Sequence, residues 1–305
     1  MTAPAATSVQ TTLDTRGPYD LREVALMGFG HRDERDFDGV MRLAFCVDGD
    51  FERQVGVEIR QDGDQLDLRI HPGPEDAALD DSTVSVIANQ IARVLSVDHD
   101  GAAFVTMCRA DPVLSRLQDA APGFRPALFY SPYEAAAWSI LSARRARSQG
   151  ITLRAKLSEA HGASFDLAGR QTLALPTPSA LLALDSFPGH PADRIPRLHA
   201  VARAAHEGRL SAQRLSAMEP EEAMRDLQQL PGIGPFYSAL IVVRACGNAD
   251  VLSVKETMSR AAAAELYGWT TEPSDEEYAA LAERWRPFRT WAGVMMRAVG
   301  GRLTT

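Results

Sequence analysis

Between two helical segments the chain reads Leu230-Pro231-Gly232-Ile233-Gly234-Pro235. Two glycines separated by one residue let the backbone turn sharply and approach another group closely. Pro235 has a φ that suits the first position of the helix that follows. The turn therefore presents a helix N-terminus whose free N–H groups can bind an anion such as a phosphate. The same pattern also occurs in an ordinary corner between two helices, so the turn alone leaves both interpretations open.

Charge is distributed unevenly along the 305 residues, whose formal net charge is -8. Residues 1–130 carry 12 Lys and Arg against 22 Asp and Glu, whereas the remainder carries 20 against 18. A polyanion should therefore meet the C-terminal part, with the acidic N-terminal part facing away. Main-chain donors at the glycine turn would hold phosphates without a large positive charge, although an ordinary acidic protein explains the total equally well.

The first third of the chain predicts a small α+β domain over residues 17–122, after a disordered lead-in over residues 1–16. Apolar residues alternate from Arg42 to Ile70 on both sides of Gln61-Asp62-Gly63-Asp64, which predicts two half-buried strands joined by a turn. Apolar residues then recur at helical spacing after Asp81, and Asp81 or Ser82 can cap that helix.

After Pro122-Gly123-Phe124-Arg125-Pro126 the strand pattern disappears, and residues 123–305 are predicted to form an all-α body of short helices. Pro or Gly separates most of the segments. The predicted helices are Pro132–Leu141, Gln149–His161, Pro178–Leu184, Ile195–Glu207, Pro220–Gln229, Pro235–Cys246, Thr257–Tyr267, Asp275–Trp285 and Trp291–Val299.

Composition excludes several classes of protein. A hydrophobic fraction of 45% is enough for a packed core, which argues against global disorder. The first ten residues lack the apolar region of a signal peptide, and no apolar run is long enough to span a bilayer. Three widely spaced cysteines argue against a disulfide framework, a zinc site and an iron–sulfur cluster, and they suit a reducing cytoplasm.

The glycine turn does not stand alone, because the helix after it leads into Asp250-Val251-Leu252. Together these segments resemble the helix-hairpin-helix DNA glycosylase superfamily, and in particular its bacterial alkylpurine (3-methyladenine) glycosylase II branch. Further matching segments follow the family's order along nearly the whole chain after Arg16. They are Pro18-Tyr19-Asp20, Met27-Gly28-Phe29, Asp111-Pro112, the segment 122–126, Ser131-Pro132-Tyr133-Glu134-Ala135, Ile140-Leu141-Ser142 and Arg284-Trp285-Arg286-Pro287-Phe288-Arg289. The resemblance implies a mainly α fold, with an N-terminal α+β (TBP-like) domain followed by an all-α helix-hairpin-helix core.

The resemblance also implies an activity. Family members flip a damaged nucleotide into a pocket and break the bond between base and sugar, for which a nearby carboxylate stabilises an oxocarbenium-like transition state. The family places an Asp six residues after the position of Asp250, and here that residue is Glu256. Bifunctional relatives carry a nucleophilic Lys where this chain has Phe236, so a monofunctional enzyme without lyase activity is expected.

Three alternatives remain open at this point. An acidic residue is favoured at the start of a helix in any case, so Glu256 could be only a helix-capping or surface residue. The exchange of Asp for Glu, together with the altered pocket, would also suit a non-catalytic protein of the same fold that binds DNA lesions. A generic DNA-binding module is the third interpretation.

The predicted base pocket departs from the family pattern. Phe29 and Phe236 match two aromatic positions, and Tyr133 is a further pocket candidate. Leu240 and Arg297 stand where the family usually has Tyr and Trp, which hold cationic bases between aromatic faces. Either Arg297 points to solvent or pairs with Glu256 or another acid, or the substrate is a neutral or bulky modified base.

The resemblance assigns DNA contacts to two further regions besides the amides of Gly232, Ile233 and Gly234 and the neighbouring Phe236. Arg144 and Arg145 lie where the family inserts a wedge side chain into the space left by the flipped base. Lys255 is a candidate partner for a phosphate or a carboxylate.

The partner implied is double-stranded DNA with a damaged base, and the protein is expected to be a cytoplasmic, nucleoid-associated monomer without membrane contact. No cofactor is expected, apart from a monovalent cation such as sodium or potassium at the carbonyl groups of Leu230 and Gly232.

Overall fold

Four antiparallel strands form the N-terminal sheet of the computed structural model, which describes residues 7–28, 30, 32, 36–74, 78–252 and 256–303. The strand order is β1-β4-β3-β2. The predicted hairpin is confirmed, because the β3 residues Val57 and Ile59 pair with Ile70 and Leu68 of β4. The strands are β1 (Val9–Asp14), β2 (Met41–Val47), β3 (Asp50–Asp62) and β4 (Gln65–Pro72).

The predicted disordered lead-in is wrong from Val9 onwards, because residues 9–14 form the edge strand β1. Leu13 pairs with Leu66 of β4, and Val9 pairs with Ile70. Alternate residues of β1 are half-buried, and its two threonines favour an extended backbone. The strand is ordered by pairing with a segment some fifty residues away, which local sequence does not report.

Four helices belong to this part of the chain: α1 lies between β1 and β2 in the sequence, and α2, α3 and α4 follow β4. Helix α2 begins after Asp80, whose carboxylate accepts the amide of Thr83 at 2.7 Å, so the cap lies one residue before the predicted candidates. Its apolar face packs on the sheet. Helices α3 and α4 share one hydrophobic core with C-terminal helices, so this core crosses the domain boundary that the sequence predicts at residue 122. The helices are α1 (Leu21–Leu26), α2 (Asp81–Val94), α3 (Gly101–Arg109) and α4 (Pro112–Ala120).

The rest of the described chain is mainly helical, and all nine predicted helices are present, most of them within two residues of the predicted ends. The segment predicted as Asp275–Trp285 ends in a 3₁₀ turn from Glu283. The helices are α5 (Pro132–Ser142), α6 (Arg147–His161), α7 (Pro178–Leu182), α8 (Ile195–His206), α9 (Ala212–Ser216), α10 (Pro220–Leu227), α11 (Pro235–Arg244), α12 (Thr257–Leu266), α13 (Asp275–Ala282) and α14 (Arg289–Val299).

The prediction of an all-α body is wrong at one place, because β5 (Ser164–Leu167) and β6 (Arg170–Leu173) form a short hairpin. This hairpin packs against β2 and β3 of the N-terminal sheet. Phe165 and Leu167 are buried there, and a Cβ at Gly56 would lie 2.6 Å from the ring of Phe165. Gly56 therefore allows the two sheets to approach each other closely.

Arg125 joins the two halves of the molecule. Its side chain is 1% exposed and donates hydrogen bonds to the carbonyl groups of Ser96, Arg16 and Pro18. The segment 122–126 therefore ties the residues that precede α1 to the loop after α2. Within the described residues, no helix is both long and apolar enough to cross a membrane.

Candidate functional site

The glycine turn connects α10 to α11 and packs against two other helices. Gly232 has a φ of +93°, which favours glycine over any other residue. A Cβ at this position would lie 2.8 Å from Cδ1 of Ile140 and 3.0 Å from Cδ of Arg197. Gly232 is therefore required both by the backbone conformation and by the close approach of α5 and α8.

Gly234 differs from Gly232, because its φ of -93° suits any residue. No described atom lies within 4 Å of the place where its Cβ would be. No side chain caps α11, so the first amides of that helix have no partner in the helix itself and face this open space. The buried side chain of Ile233 fixes the turn to the core, and its amide donates to the carbonyl of Leu230 at 3.0 Å.

The arginine loop, residues 143–147, follows α5, and the carbonyl of Ala143 accepts a hydrogen bond at 2.9 Å from Arg194, which directly precedes α8. Arg144 is exposed, has a φ of +56°, and makes no hydrogen bond or ion pair with the described residues. Arg145 instead braces the loop, because it donates to the carbonyl groups of Leu141 at 3.2 Å and Gly189 at 3.0 Å. The two predicted DNA contacts therefore differ. Among the described residues, Arg144 is exposed and has no hydrogen-bond partner, whereas Arg145 is held by two carbonyl groups.

Glu256 is the N-cap residue of α12. Its carboxylate accepts the amides of Met258 at 3.2 Å and Ser259 at 2.8 Å. The second oxygen also lies 3.5 Å from Nη1 of Arg297. The helix-capping geometry is thus present, and of the alternatives for Arg297 the pairing with Glu256 is confirmed. The carboxylate keeps a side-chain exposure of 21%, so a bound molecule can reach it.

The segment before Glu256 is held against the start of α14. Asp250 accepts hydrogen bonds from the side chain of Arg289 at 2.8 Å and from that of Arg286 at 2.9 Å. Val251 exchanges two hydrogen bonds with the hydroxyl of Thr290. These contacts bring Glu256 and Arg297, which are distant in sequence, to the same side of the molecule.

Beside Arg297 lies a cavity of about 400 Å³. Its wall combines the segment after α1 with the ends of α11, α12 and α14. Sequence reasoning missed Arg244 in this wall, although a lone charge at the end of the apolar stretch 235–243 was a signal. The lining residues include Met27, Gly28, Arg244, Met258, Val294 and Arg297.

Of the predicted pocket residues inside the described chain, Arg297 lines this cavity and the others do not. Tyr133 is fully buried, its ring centre lies 5.2 Å from that of Phe51, and its hydroxyl donates to the carbonyl of Pro176, so it does not line this cavity. Leu240 packs on the same core. Phe236 is 64% exposed beside the glycine turn, where it suits a surface contact better than a cavity wall. Phe29 and Lys255 lie outside the described residues.

No family model matches the sequence. The chain is similar to the probable bifunctional transcriptional activator/DNA repair enzyme AlkA of Mycobacterium tuberculosis, with 27% identity over 205 residues that cover 66% of this chain and 40% of that protein. It is also similar to DNA-3-methyladenine glycosylase 2 of Escherichia coli, with 28% identity over 59% of this chain and 61% of that protein. The chain thus spans less than two thirds of the length of each of these relatives.

The fold is shared with a solved structure, the 3-methyladenine DNA glycosylase from Archaeoglobus fulgidus. The TM-score is 0.74 at 18% identity, and the alignment covers 94% of this chain and 97% of the other. The likeness in fold therefore extends over both the sheet and the helical part. The shared fold and the similarity in sequence both agree with the resemblance to the alkylpurine branch of the helix-hairpin-helix DNA glycosylases.

Proposed function

We propose that the protein is a base-excision repair glycosylase, which hydrolyses the N-glycosidic bond of a flipped-out damaged base in duplex DNA and leaves an abasic site. The observation that carries this proposal is the position of Glu256. Its carboxylate is fixed by two amides and one guanidinium, remains partly exposed, and stands next to the cavity that Arg297 lines. A fixed carboxylate beside a cavity of base-sized volume is what stabilisation of an oxocarbenium-like transition state requires.

DNA binding is assigned to the glycine turn and the arginine loop. The amides at the start of α11 would receive a phosphate in the open space in front of Gly234. Arg197, whose side chain lies against Gly232, would add a positive charge to the same site. Arg144 would reach into the duplex where the damaged nucleotide has left the stack.

Once the base is in the cavity, hydrolysis needs little more from the protein than Glu256. The carboxylate stabilises the positive charge that develops on the sugar and orients a water molecule toward it. Arg297 and the amides of Met258 and Ser259 hold the carboxylate in position while the bond breaks. The relatives are named as 3-methyladenine glycosylases, and we propose a modified base of this general kind, alkylated or otherwise altered, as the substrate.

Cleavage of the DNA strand is not part of the proposed reaction. The residue at the position of the nucleophilic lysine in bifunctional relatives is Phe236, which cannot form a Schiff base. Treatment with borohydride during turnover should therefore trap no covalent adduct between protein and DNA. A trapped adduct would contradict the monofunctional assignment.

A second candidate function has one observation in its favour. Two amides and Arg297 already contact the carboxylate of Glu256, and this arrangement also suits a protein that binds lesions without cleaving them.

Either function is compatible with a monovalent cation at the glycine turn. The carbonyl of Leu230 accepts one amide and keeps a second lone pair, which together with the carbonyl of Gly232 could bind sodium or potassium.

The experiment that separates the two functions is an assay of base release. Duplexes with one modified base are incubated with excess protein, and the products are divided into samples with and without alkali. The proposed glycosylase should release the free base and leave abasic sites that break only in the alkaline sample. Tight binding to the lesion without base release would instead support the non-catalytic function.

A further inference from the structure

Arg147, the first residue of α6, reaches from the arginine loop to the segment that forms one wall of the cavity beside Glu256. Its side chain donates hydrogen bonds to the carbonyl of Gly30 at 3.1 Å and to that of Arg32. Its Nη2 atom also lies 3.7 Å from the place where a Cβ of Gly28 would be. Gly28 itself lines the cavity. The guanidinium of Arg147 therefore fixes the backbone on which this part of the cavity wall is built.

The same three residues, Gly28, Gly30 and Arg32, which we call the wall residues, are also held by the segment before α5. Gly30 has a φ of +61°, and its Cβ would lie 2.4 Å from the ring of Phe129, so glycine allows a close approach there. The buried side chain of Arg32 donates to the carbonyl of Leu128 at 2.6 Å. The wall residues are thus supported by a buried segment of the core and by Arg147, and the second support belongs to the arginine loop.

The arginine loop is fixed on both sides of Arg144. The carbonyl of Ala143 accepts a hydrogen bond from Arg194, and Arg145 donates to two carbonyl groups. Arg144 itself is exposed and has a φ of +56°, a conformation that a residue other than glycine keeps only where its surroundings hold it. Because Arg147 follows Arg144 by three residues, a displacement of the exposed side chain acts through a short, braced backbone on the contacts with the wall residues.

We propose that Arg147 is a positioning residue that couples insertion of Arg144 into the duplex to the shape of the cavity that receives the flipped base. The inference rests on the proposed glycosylase function, which assigns the arginine loop to the duplex and the cavity to the base. A guanidinium that bridges two carbonyl groups holds them more firmly than a neutral donor does. Displacement of a bound substrate by about 1 Å can cost roughly 10²-fold in rate, so loosening of the wall residues should slow base release.

The first measurement is single-turnover base release by Arg147→Ala. Duplexes contain one 7-methylguanine, hypoxanthine or ethenoadenine, and the base that the wild type releases fastest is the probe. With protein in saturating excess, the rate should fall by roughly 10- to 100-fold. Affinity for the undamaged duplex should hold, because the lost contacts are within the protein. Arg147 is exposed, so the competing role is a phosphate contact, which predicts lost affinity and a salt slope smaller by about one, with the rate at saturation unchanged.

Two further variants separate positioning from general stability. Arg42→Ala is the matched control, because Arg42 donates to the carbonyl groups of Leu167 and Ala168 in the β5–β6 hairpin, and its loss should lower stability while the rate holds. Arg147→Lys keeps the charge without the planar fork that spans two carbonyl groups, so it should restore only part of the rate. A phosphate contact would instead survive in Arg147→Lys. Denaturant unfolding of all three variants shows whether each is folded under the assay conditions.

The coupling itself is measured with the double variant Arg144→Ala/Arg147→Ala. If the two residues act together, its loss of rate should be smaller than the product of the two single losses by roughly 3-fold or more. Equal rates for the wild type and Arg147→Ala, or losses that multiply, would overturn the inference and leave the glycosylase function intact.

Binding provides a measurement that does not depend on cleavage. Preferential binding of a modified duplex by the wild type without base release would refute the glycosylase function. The ratio of affinities for modified and undamaged duplex then replaces the rate in the same comparison of variants. Losses of this ratio that multiply would overturn the coupling, and a smaller loss in the double variant would support it. Neither release nor preference in the wild type would refute both the function and the inference.

Discussion

The glycine turn and the cavity offer different chemistry to a ligand. Around Gly232 and Gly234 the groups offered to a ligand are main-chain amides, whose position depends on backbone geometry and not on side-chain charge. Around Glu256 and Arg297 the groups are charged side chains that hold one another in place. Under the proposed function, a chain with a net charge of -8 would bind a polyanion in this way: the amides would hold the backbone of any duplex, and the side chains would act on the base.

The largest effect is expected at the cavity, where Glu256→Gln removes the charge and keeps the shape. Single-turnover base release should fall by about 10²–10³-fold or more, because electrostatic stabilisation of the transition state is lost. Affinity for damaged DNA should hold or rise, since a carboxylate near phosphates repels them. Glu256→Asp should also slow the reaction if the cavity is adjusted to the longer side chain.

Glu256 also caps α12, so the stability of the variant must be measured with its rate. Asp80→Asn is the matched control, because Asp80 is the N-cap of α2 in the sheet part and its loss reports the effect of removing a charged cap alone. Because Asn caps a helix about as well as Asp, the control should lose well under ~1 kcal/mol of unfolding free energy. Equal rates of base release in the wild type and Glu256→Gln would reduce Glu256 to a helix cap.

The second effect is expected at the glycine turn. Gly234→Asp places a negative charge in open space, where no described atom obstructs it, at a position that favours acidic residues as helix caps. The stability of the protein should therefore hold, while affinity falls by roughly 10- to 100-fold for every duplex, damaged or not. Gly234→Asn has the same shape without the charge and should lose much less affinity. Unchanged DNA binding by a folded Gly234→Asp variant would remove the turn from the interface.

A smaller effect should separate the two neighbours in the arginine loop. Arg144→Ala is expected to lower duplex affinity by roughly 3- to 10-fold and to reduce the dependence of binding on salt by the equivalent of about one phosphate contact. Arg145→Ala should instead lower the unfolding free energy by about 1–2 kcal/mol, because two carbonyl groups lose a charged donor. Salt titrations and denaturant unfolding of both variants measure the difference. The reverse pattern would mean that Arg145 contacts the DNA and Arg144 does not.

The turn was predictable from sequence and the cavity was not, for a physical reason. Gly232, Ile233 and Pro235 fix a local conformation, so their pattern is visible over six residues. The cavity depends on groups from four separate segments, and its arginine at position 244 becomes a lining residue only when α11 meets α12 and α14. Tyr133 shows the same limit, because Phe51 of the distant β3 strand packs over it.

The strands were the elements that the sequence predicted least well. β1 carries alternating polar and apolar residues next to a polar N-terminal segment, and only its pairing with β4 orders it. β5 and β6 have four residues each, which is too short for a periodic pattern to stand out. The catalytic assignment of Glu256 and the DNA-binding assignments of the turn and Arg144 remain predictions from the resemblance.

The last effect concerns the pH dependence of the region around Gly189, where Arg145 of the arginine loop is held. His190 is buried next to Gly189, whose carbonyl accepts Arg145. Burial, together with the charges of Arg145 and Arg194, lowers the pKa of His190 from its ordinary value of 6.5 to about 4, and the opposing charge of Asp193 is too weak to restore it. The folded protein therefore keeps this histidine neutral over a range in which the unfolded chain binds a proton. Its contribution to stability is complete above about pH 6.5 and is lost as the pH falls toward 4.

His190→Leu removes the titrating group and keeps an apolar side chain in the same space. Between pH 7 and pH 5 the wild type should lose up to about 2 kcal/mol more unfolding free energy than the variant. DNA affinity should differ between the wild type and the variant in the same pH range only to the extent that binding depends on the arginine loop, because the amides of the glycine turn do not titrate. Unfolding curves at the two pH values measure the first quantity, and binding of an undamaged duplex measures the second. Parallel pH profiles for the wild type and His190→Leu would mean that His190 titrates normally in the folded protein, and that the loop is no more sensitive to acid than the turn.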